Sequence, residues 1–197
     1  MTRSSAAAAD SGPTDEPALV RRAQAGDRAA FGTIVRAHQA AALRLATIIC
    51  GDSTEAYDIV QDSFVKAFHG LPRVRSTESL RPWLMRIVAN QAKNARRSSA
   101  RRDARIQRQV RLRVDDEPTP DDVALTSVAA EHLTDAIDRL SDADRRVIGC
   151  RYFAGLNEAE TASALGVAKG TVKSRTARAL TRLRAELGNE FDDEVEQ

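Results

Sequence analysis

The chain has few of the features that stabilise or anchor proteins outside the cytoplasm. Its 197 residues include only two cysteines, Cys50 and Cys150. Their wide separation and apolar, helix-like surroundings predict two buried free thiols in a reducing compartment rather than a disulfide. No run of eighteen apolar residues occurs, and the start contains acids and no apolar core of signal-peptide length. We therefore expect no membrane insertion and a cytoplasmic location.

The sequence also lacks the residue groupings of metal sites and enzymes. The three histidines, His38, His69 and His132, are far apart in the sequence, and none has a cysteine or another histidine at the spacing of a metal site. We therefore interpret them as structural. We find no Gly-rich phosphate loop and no nucleophile paired with a base. These absences predict a protein with no metal, no cofactor and no catalytic activity.

Aromatic residues are scarce, at 4% of the chain, whereas charged residues reach 29%. This balance favours small helical units over a large β-sandwich. Apolar residues recur at helical spacing in almost every patterned segment, and no segment has the alternation typical of a strand. Asp27, Asp52 or Ser53, and Asn157 stand where helix caps are needed. The sequence therefore predicts an all-α fold.

Charge is strongly segregated along the chain although the net charge is only +2. Residues 96–113 contain eight arginines and one acid, and residues 114–122 then contain five acids and no base. The second stretch has two prolines and no core-forming residue, so it predicts a linker that lets two domains move. We predict a disordered tail at 1–15, a four-helix first domain at 16–97, a flexible charged linker at 98–122, a helical second domain at 123–187 and an acidic tail at 188–197.

A basic helix is predicted near the end of the second domain, in the stretch "ASALGVAKGTVKSRTARALTRLR" (residues 162–184). It contains six Lys or Arg residues and no acid. Ala162, Gly166 and Val172 are spaced as in a helix-turn-helix, where a small residue allows close approach, glycine makes the turn and an apolar residue fixes the second helix. These features favour a DNA-reading helix over a basic face that is merely solvated.

Two further helix faces carry polar groups of one kind. The face bearing Asn90, Lys93 and Asn94 has amides and cations without acids, which suits exposed bases and phosphates. On the same helix Trp83 is better interpreted as a core residue than as a base-stacking one. The segment "STEAYDIVQDSF" is instead acidic; simple solvation is the favoured interpretation, and the basic surface of a protein partner is the alternative.

Three segments, "DIVQDSFVKAF", "LRPWLMRIVANQAKN" and "LSDADRRVIGCRYFAGLNEAETASALGVAKGTVKSRTARALTRL", resemble the extracytoplasmic-function (ECF, group IV) sigma factors of bacterial RNA polymerase. Their order and separation make the resemblance specific, and it covers about residues 17–97 and 128–187. It implies that the first domain is sigma domain 2 and the second is sigma domain 4.

The resemblance assigns roles to individual residues. It implies that the acidic helix docks on the coiled coil of the polymerase β′ clamp, through Asp58, Gln61, Asp62 and Phe64. The −10 element would be melted and read by Arg73, Arg75, Ser76, Asn90, Lys93, Asn94 and Arg97. The −35 element would be read by Lys169, Thr171, Lys173, Ser174, Arg175, Arg178 and Arg182, while the preceding helices hold the β flap.

The partners implied by the resemblance are core RNA polymerase, promoter DNA and an inhibitory anti-sigma factor, with the chain monomeric outside the polymerase complex and acting in stress responses. One alternative is a free-standing helix-turn-helix regulator whose first domain dimerises, which would bind a palindromic duplex site without polymerase. An enzyme is a third class, and no constellation of residues supports it.

Overall fold

The computed structural model describes residues 16–74, 80–110 and 126–195, with side chains at 16–74, 80–102 and 132–188. Every regular element within these ranges is helical, which confirms the all-α prediction. The elements are α1 (Glu16–Gln24), α2 (Arg28–Cys50), α3 (Ser53–Gly70), a 3-10 helix (Leu71–Arg73), α4 (Leu80–Val110), α5 (Thr126–Asp138), α6 (Asp142–Ile148), a π-helix (Gly149–Phe153), α7 (Glu158–Leu165) and α8 (Lys169–Val195).

Side-chain caps at several helix starts are those that the sequence predicts. The carboxylate of Asp27 accepts from the N–H groups of Ala29 and Ala30 at the start of α2. Donation from Ala30, and then from the Arg22 side chain, lowers the pKa of Asp27. Asp52 caps α3 in the same way, while Asn157 and Glu160 form a reciprocal capping box at α7. Local chemistry thus fixes where these helices begin.

The first domain packs α2, α3 and α4 around one apolar core, with α1 against the start of α2. Buried residues of this core include Leu45, Ile49, Phe64, Leu84 and Val88. A smaller cluster joins α1 to the 3-10 helix and the start of α4. Trp83 is partly buried and packs against both clusters, a position that agrees with the prediction of a core residue.

The second domain packs α5, α6 and α8 together, with α7 across the start of α8. Arg145 on α6 lies at its centre with only 2% of its surface exposed. Its guanidinium donates to the carbonyls of Ile137, Asp138 and Leu140. Burial, and secondarily the charge of Arg96, lowers the pKa of Arg145. These bonds supply donors to carbonyls at and just beyond the end of α5, where helical partners run out; the Ile137 carbonyl also accepts from the N–H of Leu140.

The two domains lie directly against each other, an arrangement that we call the closed pair. Cys150, Ala154, Leu156 and Ala164 of the second domain are buried within the core cluster of the first. Arg96 of α4 also forms an ion pair with Asp138 of α5, with Nη1 and Oδ1 3.0 Å apart. The linker composition predicts independent movement, but packing of this kind is not visible in that composition.

Two other predictions can be compared with the structure. Helix α4 continues to Val110, so residues 98–110 of the predicted linker are helical, while residues 111–125 lie outside the described part of the chain, as do the tail residues 1–15. Cys50 and Cys150 are both free and buried, which confirms the prediction of free thiols.

Candidate nucleic-acid interface

Helices α7 and α8 form the helix-turn-helix that the spacing of small residues predicts. Gly166 ends α7 in the left-handed region, with φ 65° and ψ 40°, and its N–H donates to the carbonyl of Ala162. Glycine adopts this conformation without the steric cost that a Cβ atom brings, so it sets the turn. Val172 is fully buried against Val147 and Ala162. This contact fixes the angle at which α8 leaves the domain.

The outer face of α8 carries the residues predicted to read the −35 element. Val172, Ala179 and Leu183 hold the opposite face against the domain core. The structure exposes five of the seven predicted residues and half-buries Thr171 and Arg175; the exposed ones are Lys169, Lys173, Ser174, Arg178 and Arg182. No acid occurs between residues 169 and 185, so this face of α8 is uniformly cationic or neutral.

Arg182 differs from its neighbours because it already has a partner within the domain. Its Nη1 lies 3.4 Å from Oδ2 of Asp144. Asp144 is 5% exposed and also receives a hydrogen bond from the Ser141 hydroxyl. Arg182 therefore links α8 to the start of α6, in addition to facing outward.

The outer face of α4 carries four of the residues predicted to act at the −10 element. Asn90, Lys93, Asn94 and Arg97 follow the i, i+3, i+4, i+7 spacing of one helix face. Asn90, Asn94 and Arg97 are exposed and Lys93 is half-buried. Arg73 is exposed in the 3-10 helix, whereas Arg75 and Ser76 lie outside the described residues. The structure thus brings four of these seven residues together on one helix.

The two basic faces approach each other at the boundary between the domains. Lys93 lines a narrow crevice there together with Asp142 and Arg146 of α6. Burial is the main cause that lowers the pKa of Arg146, and the charges of Arg175 on α8 and Arg97 on α4 add to it. The Nε of Arg146 is buried and has no hydrogen-bond partner among the described residues. Like charges from three helices therefore face one another in the closed pair.

The acidic helix α3 forms one wall of an apolar groove. Asp58, Gln61 and Asp62 are exposed, whereas Phe64 is only 7% exposed and lines the groove wall. The groove has a volume of about 650 Å³ and is lined by Val35, Gln39, Ala40, Leu43, Tyr57, Val60, Gln61, Phe64 and Val65. Tyr57 is 60% exposed and Val65 57% exposed, so an apolar surface lies open beside the acids.

Sequence reasoning missed the wall of this groove that α2 contributes. Leu43 is only partly buried at the edge of the core, and Ala40 is exposed. Apolar residues outside the core stripe are the signal that could have identified a second apolar face on α2.

The described residues contain neither a metal-binding cluster nor a membrane-spanning helix. No group of three or more His, Cys, Asp or Glu side chains is arranged to hold a metal ion in the described part of the chain. None of the helices in the described ranges is long and apolar enough to cross a membrane.

Comparison with known proteins gives matches on both domains. Sigma-70 region 2 matches residues 34–102, and Sigma-70, region 4, matches residues 136–185. RNA polymerase sigma factor NccH of Alcaligenes xylosoxydans xylosoxydans is 34% identical over 88% of this chain and 95% of its own length. The ECF RNA polymerase sigma factor SigM of Mycobacterium tuberculosis is 36% identical over 83% of this chain and 80% of its own.

Two solved structures share the fold. CnrH, solved in complex with the cytosolic domain of CnrY, has a TM-score of 0.67 at 28% identity and covers 88% of this chain and 97% of its own. The sigma factor RpoE from Bartonella quintana, solved with the anti-sigma factor NepR, has a TM-score of 0.63 at 24% identity and covers 80% and 96%. The second likeness concerns the fold alone.

A region 2 domain followed by a region 4 helix-turn-helix defines a transcription initiation factor of bacterial RNA polymerase. The chain belongs to the sigma-70 family, within its extracytoplasmic-function group. It acts in promoter-specific transcription initiation. Proteins of this class are initiation factors and not catalysts.

Proposed function

We propose that this sigma factor docks on core polymerase through α3, melts and reads the −10 element with α4, and reads the −35 element with α8. One observation carries the proposal, namely the opposite charge of the exposed helix faces. Helix α4 contains no acid from residue 80 to residue 102, and α8 contains none from residue 169 to residue 185, whereas α3 exposes Asp58 and Asp62. Surfaces of opposite sign suit two different partners, polyanionic DNA and a basic protein surface.

At the −35 element, α8 would lie in the major groove. Lys173, Arg175 and Arg178 can pair with guanine edges or neutralise phosphates, and the hydroxyls of Thr171 and Ser174 can bond to bases or phosphates. Lys169, at the first turn, is placed to contact the backbone. Because Arg182 is paired with Asp144, we assign it to phosphate contact rather than base reading.

At the −10 element, α4 would contact a separated strand. Extruding a base costs a few kcal/mol, and its capture by side chains offsets that cost and selects the sequence. The amides of Asn90 and Asn94 can bond to base edges, and Lys93 and Arg97 can neutralise phosphates. The resemblance to the family adds Arg73, Arg75 and Ser76 from the loop that precedes α4.

At the polymerase, the groove between α2 and α3 would receive the coiled coil of the β′ clamp. Its apolar walls can take an apolar helix face while Asp58 and Asp62 pair with basic residues and Gln61 bonds to polar ones. Phe64 would contribute from the wall of the groove. We further propose that the second domain holds the β flap, and that the chain is a cytoplasmic monomer until it joins polymerase.

We also propose an anti-sigma factor as an inhibitory partner. Support comes from CnrH, a relative in fold and sequence that is solved in complex with the cytosolic domain of CnrY. A protein that co-purifies from the native cell should, when made separately, block binding of this chain to core polymerase. Co-purification of no inhibitor, or of one that leaves core binding unchanged, would argue against this partner.

Run-off transcription tests the main proposal. Purified protein is mixed with bacterial core polymerase and a library of genomic fragments, and core polymerase alone is the control. We expect discrete transcripts that depend on the protein and share two upstream elements. Tight binding to duplex fragments without polymerase, together with no transcripts, would instead support a free-standing regulator.

A further inference from the structure

The boundary between the two domains is held by arginines of the first domain that donate to backbone carbonyls of the second. We propose that these contacts keep the free protein in the closed pair, and that the closed pair must open before both promoter elements can be bound. We call Arg44, Arg81 and Arg86 the arginine latch. The closure is an inference from the contacts alone, whereas its consequence for promoter binding rests on the proposed function.

The latch bonds are short and end on helix termini. Nε of Arg44 lies 3.0 Å from the carbonyl oxygen of Phe153, and Nη2 of Arg81 lies 2.6 Å from that of Ala154. Nη2 of Arg86 lies 2.5 Å from the carbonyl oxygen of Ser163. Ser163 is in the last turn of α7, where carbonyls lack helical partners and the helix dipole attracts cations. Such charge-assisted bonds are stronger than neutral ones.

The apolar part of the boundary depends on close packing at the π-helix. A Cβ atom at Gly149 would have its three nearest neighbours in α2, at 3.0 Å from Leu45, 3.5 Å from Ile48 and 3.7 Å from Ile49. Cys150, the next residue, is fully buried in the cluster that belongs mainly to the first domain. The two domains therefore approach so closely at Gly149 that even a Cβ atom there would require the Leu45 side chain to shift by a few tenths of an ångström.

The closed pair cannot span a promoter. At about 3.4 Å per base pair, elements centred at −10 and −35 lie roughly 85 Å apart along the duplex. In the closed pair, the positive charges of Arg97 on α4 and Arg175 on α8 both help to lower the pKa of Arg146. Two faces that meet at one arginine cannot contact both elements together, so the domains have to separate.

The polymerase-docking groove stays open while the domains are closed. Tyr57 and Val65 remain largely exposed there, and none of the latch arginines lines the groove. The closed protein can therefore dock on polymerase through its first domain before the second domain is released. This order makes polymerase the natural trigger for opening.

Labelling of Cys150 measures closure without DNA or polymerase. Burial raises the pKa of the Cys150 thiol to about 12, and only the thiolate reacts with a maleimide. In a Cys50→Ala parent, Cys150 is the only thiol. We expect Arg81→Gln with Arg86→Gln to raise the labelling rate by about tenfold or more, because an open boundary exposes Cys150. Arg36→Gln is the matched control, since Arg36 is exposed and bonds locally to Thr33.

Two outcomes of this experiment would overturn the closed pair. The parent could label as fast as it does in denaturant, which would mean that the domains are already apart. Alternatively, the double variant could label at the same rate as the parent and the Arg36 control. Circular dichroism of each variant shows whether its helices are intact.

A wedge at Gly149 tests closure from the second domain. Gly149→Leu places a side chain against α2, so we expect a larger radius of gyration by small-angle scattering with unchanged helix content. An unchanged radius in both this variant and the latch variant would contradict closure.

The rate of promoter opening tests the consequence. With core polymerase we expect the latch variant to form open complexes at least about twofold faster than the parent, because release of the second domain is easier. Faster Cys150 labelling with an unchanged opening rate would overturn the requirement for release. If no chain gives transcripts, the proposed function fails, but the labelling result still decides closure.

Discussion

At the scale of single residues, Arg145 shows how a charged side chain can organise a core. It is nearly inaccessible, yet it donates to three backbone carbonyls at the turn between α5 and α6. Asp138 and Asp142 lie 3.7 and 4.0 Å from its guanidinium and offset part of the cost of burying the charge. Through these bonds Arg145, a residue of α6, holds the end of α5 in place against α6.

We expect Arg145→Lys to lower the free energy of unfolding by about 2–3 kcal/mol, because an ammonium cannot reach all three carbonyls and leaves buried acceptors unpaired. Urea unfolding followed by circular dichroism measures the change. Arg184→Lys, at an exposed position of α8, is the control and should stay within about 0.5 kcal/mol of the parent. Equal urea midpoints for the two variants would show that the hydrogen bonds of Arg145 do not contribute to stability.

At the scale of helices, one face of α8 packs against the domain core and the opposite face carries the residues predicted to read DNA. Lys173 and Arg178 are exposed, while their chain neighbours Val172 and Ala179 are buried. We expect Lys173→Ala and Arg178→Ala each to weaken −35-dependent initiation by about 1–3 kcal/mol. Run-off transcription on a promoter with an intact or scrambled −35 element provides the measurement.

Arg36→Ala in the first domain is the control for these two variants, since it removes an exposed cation far from α8 in sequence. Unchanged transcription by both α8 variants would refute the assignment of the recognition face. A loss on the scrambled promoter as large as on the intact one would indicate phosphate contact rather than base reading.

Helix α3 presents the opposite charge, and reversing it gives a second prediction at this scale. We expect Asp62→Arg to lower the affinity for core polymerase, because a cation replaces an exposed acid beside the groove, while the helix content stays the same. Binding to immobilised core enzyme measures it. Asp135→Arg, which reverses an exposed acid on α5, is the control. Normal binding by the Asp62 variant would show that the acids are merely solvated.

At the scale of the whole molecule, the shared core couples the stability of the two domains. Cys150, Ala154 and Leu156 complete a cluster built mainly from α2, α3 and α4. We expect one calorimetric unfolding transition for the parent and two for a variant that combines the latch substitutions with Gly149→Leu. Two transitions in the parent would contradict coupling between the domains.

The sequence predicts the helices and the helix-turn-helix well because their signals are local. Apolar periodicity, the caps at Asp27 and Asn157, and the turn at Gly166 each depend on residues within a few positions. The outer faces of α4 and α8 follow from the same periodicity, and three of the four α4 residues predicted at the −10 element are indeed exposed.

Other features could not be predicted from the sequence, because they depend on tertiary packing or because two local signals conflict. Phe64 lines the groove rather than standing free, since only the packing of α2 on α3 creates that groove. The charge composition of residues 98–110 resembles that of a linker, although arginine, alanine and glutamine there favour the helix that α4 forms up to Val110. The closed pair depends on arginines that look like surface residues and on carbonyls that no side-chain pattern reveals.

The arginine latch has a consequence for how the protein can diverge. Its acceptors are main-chain carbonyls of Phe153, Ala154 and Ser163, which any residue at those positions supplies. Substitutions there leave the polar contacts in place as long as the backbone keeps its path. The latch therefore constrains residue identity only in the first domain, at the three arginines. The sequence of the second domain can diverge over generations while its polar contacts with the first domain are retained.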